Sequence, residues 1–216
     1  MASRIEDYGL IGDMKGSALV SCYADIDWLC VPRFDSDASM AALLGRDEHG
    51  RWAIRPTTRM RKHEQRYRGD TLVLETDIEC DGGKFRVIDF MPPGTERSDV
   101  VRIVEGLAGE VFIEMILEAR FGYGSCIPWI KRQDDVISII AGPDALHLRS
   151  SVEVKERLAS LGLVYDKKGG HGHVRCQLCS LRSSYAGCSR SASCIGRDRN
   201  LLARVVGPMH LQREMA

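Results

Sequence analysis

The sequence carries no net charge: its thirty Lys and Arg are matched by thirty Asp and Glu. No overall field therefore calls for nucleic acid or a membrane surface as partner. No apolar run approaches the roughly 20 residues that a bilayer-spanning helix needs. The first residues, Met1-Ala2-Ser3-Arg4-Ile5-Glu6-Asp7-Tyr8, also lack the apolar stretch of a secretory leader. These absences predict a soluble, cytoplasmic protein with no membrane or nucleic-acid partner, whose cysteines stay reduced.

What is present is an ordinary globular composition, 44% hydrophobic and 28% charged over 216 residues, enough for one well-cored domain. The zero net charge hides two halves of different character. Residues 166–216 hold nine Lys and Arg against three acids, a charge of +6, which leaves −6 for the first 165 residues. The expected organisation is a domain over residues 1–165 and an irregular basic tail over 166–216, rich in Cys, Ser and Gly. Of the eight cysteines, Cys22, Cys30, Cys80 and Cys126 are scattered through the first part and read mainly as small buried thiols.

The first part alternates with a period of two, the pattern of strands. Leu72, Leu74, Thr76, Ile78 and Cys80 alternate with Val73, Glu75, Asp77 and Glu79, which predicts a strand with one wet face. Asp81-Gly82-Gly83 supplies a turn, and 84–91 returns as the second arm of a hairpin. Further strands are expected over 100–105, ended by Gly106, and over 111–121. The runs 136–141 and 145–148 flank a Gly142-Pro143-Asp144 turn. Many short strands with short turns define an all-β, antiparallel β-sandwich. One or two short helices are expected within it. Asp35-Ser36-Asp37 offers caps for a helix over 38–44 that stops at Gly45, and a second is expected near 152–161. After Tyr165 periodicity disappears, and no core element is expected before 200–206.

The most specific stretch lies near the start. It runs Ile5-Glu6-Asp7-Tyr8-Gly9-Leu10-Ile11-Gly12-Asp13, then Ala18-Leu19-Val20-Ser21, then Ile26-Asp27-Trp28-Leu29-Cys30-Val31-Pro32-Arg33-Phe34-Asp35-Ser36. Collinear motifs follow at Ala41–Gly45, His49-Gly50-Arg51-Trp52, Tyr67-Arg68, 71–76, Asp89-Phe90-Met91-Pro92-Pro93, 101–106, Tyr123-Gly124, Pro128-Trp129 and 141–145. Together they cover roughly residues 4–150 and resemble the trehalase-like amino-terminal domain of glycoside hydrolase family fifteen proteins. The resemblance implies a supersandwich-like β domain followed by a catalytic (α/α)6 barrel that hydrolyses α-glucosides such as trehalose or maltooligosaccharides. In that chemistry one carboxylic acid protonates the leaving oxygen and a second carboxylate activates water. Both carboxylates would belong to the barrel, so the expectation for this chain is a non-catalytic domain with the barrel as partner and no cofactor.

Residue by residue, the loop after Ile26 offers substrate-binding candidates. Asp27, Arg33 and Asp35 could meet sugar hydroxyls, with Trp28 as a stacking face and Arg33 and Phe34 packed around Pro32, which cannot donate to a sheet. The blander reading makes Trp28 core and Arg33–Asp35 a structural pair, and a third has the loop docking on the barrel. The chain departs from the family beside this loop. Tyr23-Ala24-Asp25 stands where the family has an Asp-Gly-Ser turn, which removes the residue that best tolerates positive φ. Met14-Lys15-Gly16-Ser17 is also atypical.

The tail holds His171, His173, Cys176, Cys179, Cys188 and Cys194. Cys176 and Cys179 have the spacing of half a zinc site, but five residues separate Cys188 from Cys194 and little apolar sequence surrounds them, so no metal is expected. Back-translation of 195–212 with a one-base shift permits Ser-Ala-Glu-Thr-Glu-Thr-Cys-Trp-Arg-Glu-Trp-Ser-Ala-Arg-Cys-Thr-Tyr-Asn, which is similar to the family where sandwich meets barrel. The expectation is a frameshift near residues 150–170.

Overall fold

The computed structural model describes residues 3–94, 97–152, 155–157, 160–165 and 173–182, with side chains described for 3–94 and 97–152. In chain order the strands are β1 (Tyr8–Gly12), β2 (Ser17–Ser21), β3 (Ile26–Cys30), β4 (Ala38–Met40), β5 (Arg51–Pro56), β6 (Met60–Tyr67), β7 (Leu74–Cys80) and β8 (Gly83–Phe90). They continue as β9 (Asp99–Gly109), β10 (Ile113–Glu118), β11 (Trp129–Gln133), β12 (Val136–Ala141), β13 (Asp144–Ser150), β14 (Lys155–Arg157), β15 (Ser160–Tyr165) and β16 (His173–Arg182). Sheet A has the order β1-β2-β3-β5-β10-β15-β14, with β4 beside β3; sheet B has the order β11-β12-β13-β16-β9-β8-β7-β6. Every pairing is antiparallel.

Strand alternation fills the space between the sheets. Ile11, Val20, Ile26, Leu29, Trp52, Ile54 and Met115 of sheet A join Leu74, Ile78, Phe85, Val87, Val104, Leu146 and Leu148 of sheet B in one buried cluster. The chain is thus the predicted all-β sandwich. Polar bonds tie the sheets together as well. The Tyr67 hydroxyl donates to the Leu10 carbonyl at 3.0 Å and accepts from the Leu10 N–H at 2.9 Å, so β6 caps the open edge of β1. Gln65 Nε2 donates to the Ser21 carbonyl at 3.0 Å.

At the centre of the sandwich sits a buried ion pair. Asp89 on β8 lies directly across from Arg102 on β9, and both side chains are 0% exposed. Arg102 Nε donates to Asp89 Oδ1 at 2.8 Å and Nη2 to Oδ2 at 3.2 Å. The rest of the guanidinium reaches across to sheet A. Nη1 donates to the Trp52 carbonyl at 2.5 Å and Nη2 to the Ala24 carbonyl, with the guanidinium 5.1 Å from the Trp52 ring centroid. One side chain therefore satisfies a carboxylate and two buried carbonyls from both layers.

Several local expectations change. The segment 38–44 is not a helix: Ala38 and Met40 pair with Cys30 and Leu29, and only Ala42–Leu44 makes a 3₁₀ turn. Burying Met40 in the core and bonding Ser39 Oγ to the Leu29 carbonyl outweighs the helix propensity of the alanines. The second expected helix is replaced by β14 and β15. Strand β9 continues through Gly106 to Gly109, with Leu107 as an extra residue opposite β8. The stretch read as irregular contributes β16, which pairs with β13 on one side and β9 on the other. Its Val174-Arg175-Cys176-Gln177-Leu178 does alternate, a signal hidden by the surrounding Cys, Ser and Arg. The element expected at 200–206 lies outside the described residues.

The outward face of β7 is wet only at Glu79. Glu75 and Asp77 are buried beneath arginines. Arg66 Nη2 and Arg68 Nε bond Glu75 at 2.8 and 2.5 Å, and Arg86 Nε and Lys84 Nζ approach Asp77 at 2.6 and 3.2 Å. Burial pushes the Asp77 carboxyl up, but hydrogen bonds from Arg86 and Lys84 and the charges of Arg86 and Arg66 outweigh it and hold it at about 2.

Candidate functional site

The loop singled out in the sequence begins with an irregular strand. Leu19 pairs with Trp28 and Val20 with Ile26, so Asp27 is an extra residue on β3. A bulge of this kind re-aims side chains, and here it places a carboxylate next to an aromatic ring. Asp27 is buried and accepts a hydrogen bond from the Tyr8 hydroxyl at 2.7 Å. Burial raises its carboxyl above the ordinary value. The Tyr8 bond and Arg55 pull it down, while Asp25 and Asp47 push it further up. Tyr8 is in turn pushed above its ordinary range, by burial first and then by Asp27.

Asp25 is held by Arg55, whose Nε sits 3.1 Å from both carboxylate oxygens and whose Nη2 also donates to Oδ2. Arg51 Nη1 donates to Asp47 at 2.5 Å, with Glu118 4.0 Å from its Nε. The turn that led into Asp25 forms without glycine. Ala24 takes φ +64°, and Ser21 ties the turn by accepting the Ala24 N–H at its carbonyl and the Asp25 N–H at its hydroxyl. The Ala24 carbonyl is also the one that Arg102 holds.

Trp28 is half-buried against Cys30, Ala38 and Ala41. Burial in the same place raises the Cys30 thiol above its ordinary value. The outer side of Trp28 meets Tyr123, with ring centroids 6.0 Å apart and an interplanar angle of 39°. Tyr123 sits on a short loop closed by the Phe121–Cys126 bridge, in which Gly122, Tyr123 and Gly124 all have positive φ. Its N–H is anchored on the Ala38 carbonyl at 3.2 Å. Gly124 packs so closely on His49 that a Cβ there would lie 2.7 Å from His49 Cδ2. His49 Nδ1 accepts the Arg46 N–H at 2.9 Å, which leaves Nε2 as the protonated nitrogen.

Asp27 and Trp28 are chain neighbours with different partners, Tyr8 for Asp27 and Tyr123 for Trp28, and the other two candidates lie apart from both. Arg33 and Asp35 pair with each other at 2.8 Å on the exposed loop, both more than two-thirds exposed. Phe34 is exposed too, so the expected aromatic–guanidinium cluster around Pro32 does not form. The partners that sequence reasoning missed are Tyr8, Arg55, His49 and Tyr123. Tyr8, His49 and Tyr123 stand in the quoted motifs, but nothing in the sequence tied them to this loop, and Arg55 left no mark. Among the described cysteines Cys30 and Cys80 are buried, Cys22 is intermediate and Cys126 is exposed. Of the tail's potential metal ligands, His171, Cys188 and Cys194 lie outside the described residues, while His173, Cys176 and Cys179 fall on β16. Among the described residues no helix is long and apolar enough to cross a membrane.

Two eight-stranded antiparallel sheets around one core, with the Trp28–Tyr123 ring pair on the first, define a β-sandwich domain. The family model for the trehalase-like amino-terminal domain matches residues 1–159, and the chain belongs to that family. Trehalase 1 of Sulfolobus acidocaldarius is 33% identical over 169 residues, covering 76% of this chain and 29% of that protein. The trehalase of Thermoplasma volcanium is 26% identical over 159 residues, 71% of this chain and 26% of its own length. The trehalase of Mycolicibacterium smegmatis is 33% identical over 90 residues, covering 42% of this chain and 13% of its own. The chain thus spans less than a third of the length of the relatives it matches.

Proposed function

We propose that this chain is the non-catalytic amino-terminal domain of a glycoside hydrolase that cleaves α-glucosidic bonds, in trehalose or maltooligosaccharides, and that it supports a catalytic (α/α)6 barrel. The observation that carries the reading is the family match over residues 1–159 together with relatives named trehalase that extend far beyond the matched part. The use of carboxylates in the sandwich supports it. Asp25, Glu75, Asp77 and Asp89 are each occupied by an arginine rather than left free to serve as the acid and base of a hydrolysis.

The test is domain deletion and replacement in the Sulfolobus acidocaldarius relative. Removing the matched segment should abolish trehalose hydrolysis, and residues 1–159 of this chain in its place should restore part of it. A deletion variant as active as the intact enzyme would overturn the supporting role. A second reading, a carbohydrate-binding module acting alone, draws on Trp28 beside the half-exposed Tyr123. We also propose a shift of the reading frame, on the strength of the back-translated match over 195–212; because β16 pairs on both sides, the shift is put after Arg182 and not near 150–170, and sequencing the locus would remove it if the frame is sound there.

A further inference from the structure

The Phe121–Cys126 loop is built in a way that the sandwich alone does not require. A bulky residue in the left-handed region is an outlier, and glycine is the residue that adopts it without cost. Here Gly122 (φ +57°) and Gly124 (φ +96°) take that conformation on either side, yet the residue between them is Tyr123, at φ +58° and half-exposed. Residues kept in such conformations are held there by their surroundings and gather at ligand sites. Three contacts over-determine this one: the Phe121–Cys126 bridge, the Tyr123 N–H on the Ala38 carbonyl, and Gly124 wedged on His49. The result is a tyrosine ring leaning at 39° beside the outer side of Trp28, with an imidazole Nε2–H fixed next to the loop.

We propose that Trp28 and Tyr123 form a binding platform for a saccharide ring, with the His49 Nε2–H as a hydroxyl-directed donor. This rests on the reading of the domain as part of an α-glucoside hydrolase, and it replaces Arg33 and Asp35 as the sugar-contacting pair. Two aromatic rings present flat apolar area that suits the C–H faces of a pyranose, and they lose little conformational freedom on binding. A donor at the edge supplies orientation. The ligand class is a neutral hexose oligomer: the imidazole offers one N–H donor at Nε2, and the carboxylates nearest Trp28 on the chain are already occupied, Asp25 by Arg55 and Asp27 by Tyr8.

The chain has three tryptophans, which makes the test direct. Trehalose, maltose and maltotriose are titrated into the ¹⁵N-labelled full chain while the indole N–H resonances are followed. Trp129→Phe, at an 83% exposed position, assigns one of them without disturbing the core. The Trp28 indole should shift and saturate with at least one sugar while Trp52 and Trp129 stay still. Tyr123→Gly should weaken binding by about tenfold or more without lowering the unfolding midpoint, because glycine accepts the same φ. Tyr123→Phe should bind like the parent. No saturable shift with any of the sugars, a shift confined to Trp129, or a Tyr123→Gly variant that binds normally would overturn the platform. None of those results touches the deletion experiment above, so the two readings fail separately.

Discussion

Removing Arg102 should destabilise this protein strongly, because its buried side chain holds four hydrogen bonds. Arg102→Met keeps most of the aliphatic stem and deletes four hydrogen bonds, two to Asp89 and one each to the Trp52 and Ala24 carbonyls. Breaking a buried pair by removing one partner costs about 3–5 kcal/mol, and an orphaned buried carbonyl costs on the order of 1 kcal/mol or more. A loss of at least about 4 kcal/mol is expected, which is a large part of the about 5–15 kcal/mol that holds a domain together. For a chain of this size it would lower the unfolding midpoint by roughly 8–16 °C. Asp89→Leu should cost about 3 kcal/mol or more, because it strands the guanidinium in the core. The double variant removes both charges and leaves only the two carbonyls without partners. It should therefore be more stable than the sum of the singles predicts, with a coupling of about 2 kcal/mol or more. Urea unfolding of the full chain, followed by tryptophan fluorescence, measures all four corners of the cycle. Additive losses would refute the argument that Asp89 and Arg102 act as one buried pair.

Other outcomes follow from single features. Met14 is 84% exposed and takes φ +73° in the β1–β2 turn, so Met14→Gly should raise stability by about 0.5–1 kcal/mol in thermal unfolding. Asp77 titrates at about 2 when folded against an ordinary 3.8, so its contribution is full above that ordinary value and lost as pH falls through about 2. That acid loss should be on the order of 1–2 kcal/mol and should vanish in the stability–pH curve of Asp77→Asn. Asp27 behaves oppositely: its folded carboxyl is raised, so its contribution is present below the ordinary 3.8 and lost as pH rises through the folded value. Asp27→Asn, which still accepts from Tyr8, should raise the midpoint at neutral pH and leave it unchanged in acid; an equal change at both would contradict the assignment. Ending the chain at Tyr165 removes β16 from between β13 and β9, and the shortened protein should aggregate where the full chain does not.

The sandwich was legible wherever one face of a strand meets the core. Leu74, Thr76, Ile78 and Cys80 alternate in the sequence and point inward in the fold, and the Gly82 and Gly142 turns fall where glycine is needed for positive φ. What misled were residues whose partners are distant in sequence. The alanines of 38–44 spell a helix locally, but pairing with β3 decides their conformation. Glu75 and Asp77 read as wet because the arginines that cover them lie on neighbouring strands. The candidate site was half-legible for the same reason. Asp27 and Trp28 stand next to each other in the chain, whereas Tyr8 and Tyr123 reach them only through the fold. Arg33 and Asp35 were close enough in sequence to suggest a site, and close enough to satisfy each other instead.

The central claim is that this chain supports hydrolysis without performing it. Glucose release from trehalose and maltose by the purified 216-residue chain, followed across acidic and neutral pH, tests it most directly. The account predicts none above a protein-free control. Release that co-purifies with the chain and survives every step of its isolation would contradict it.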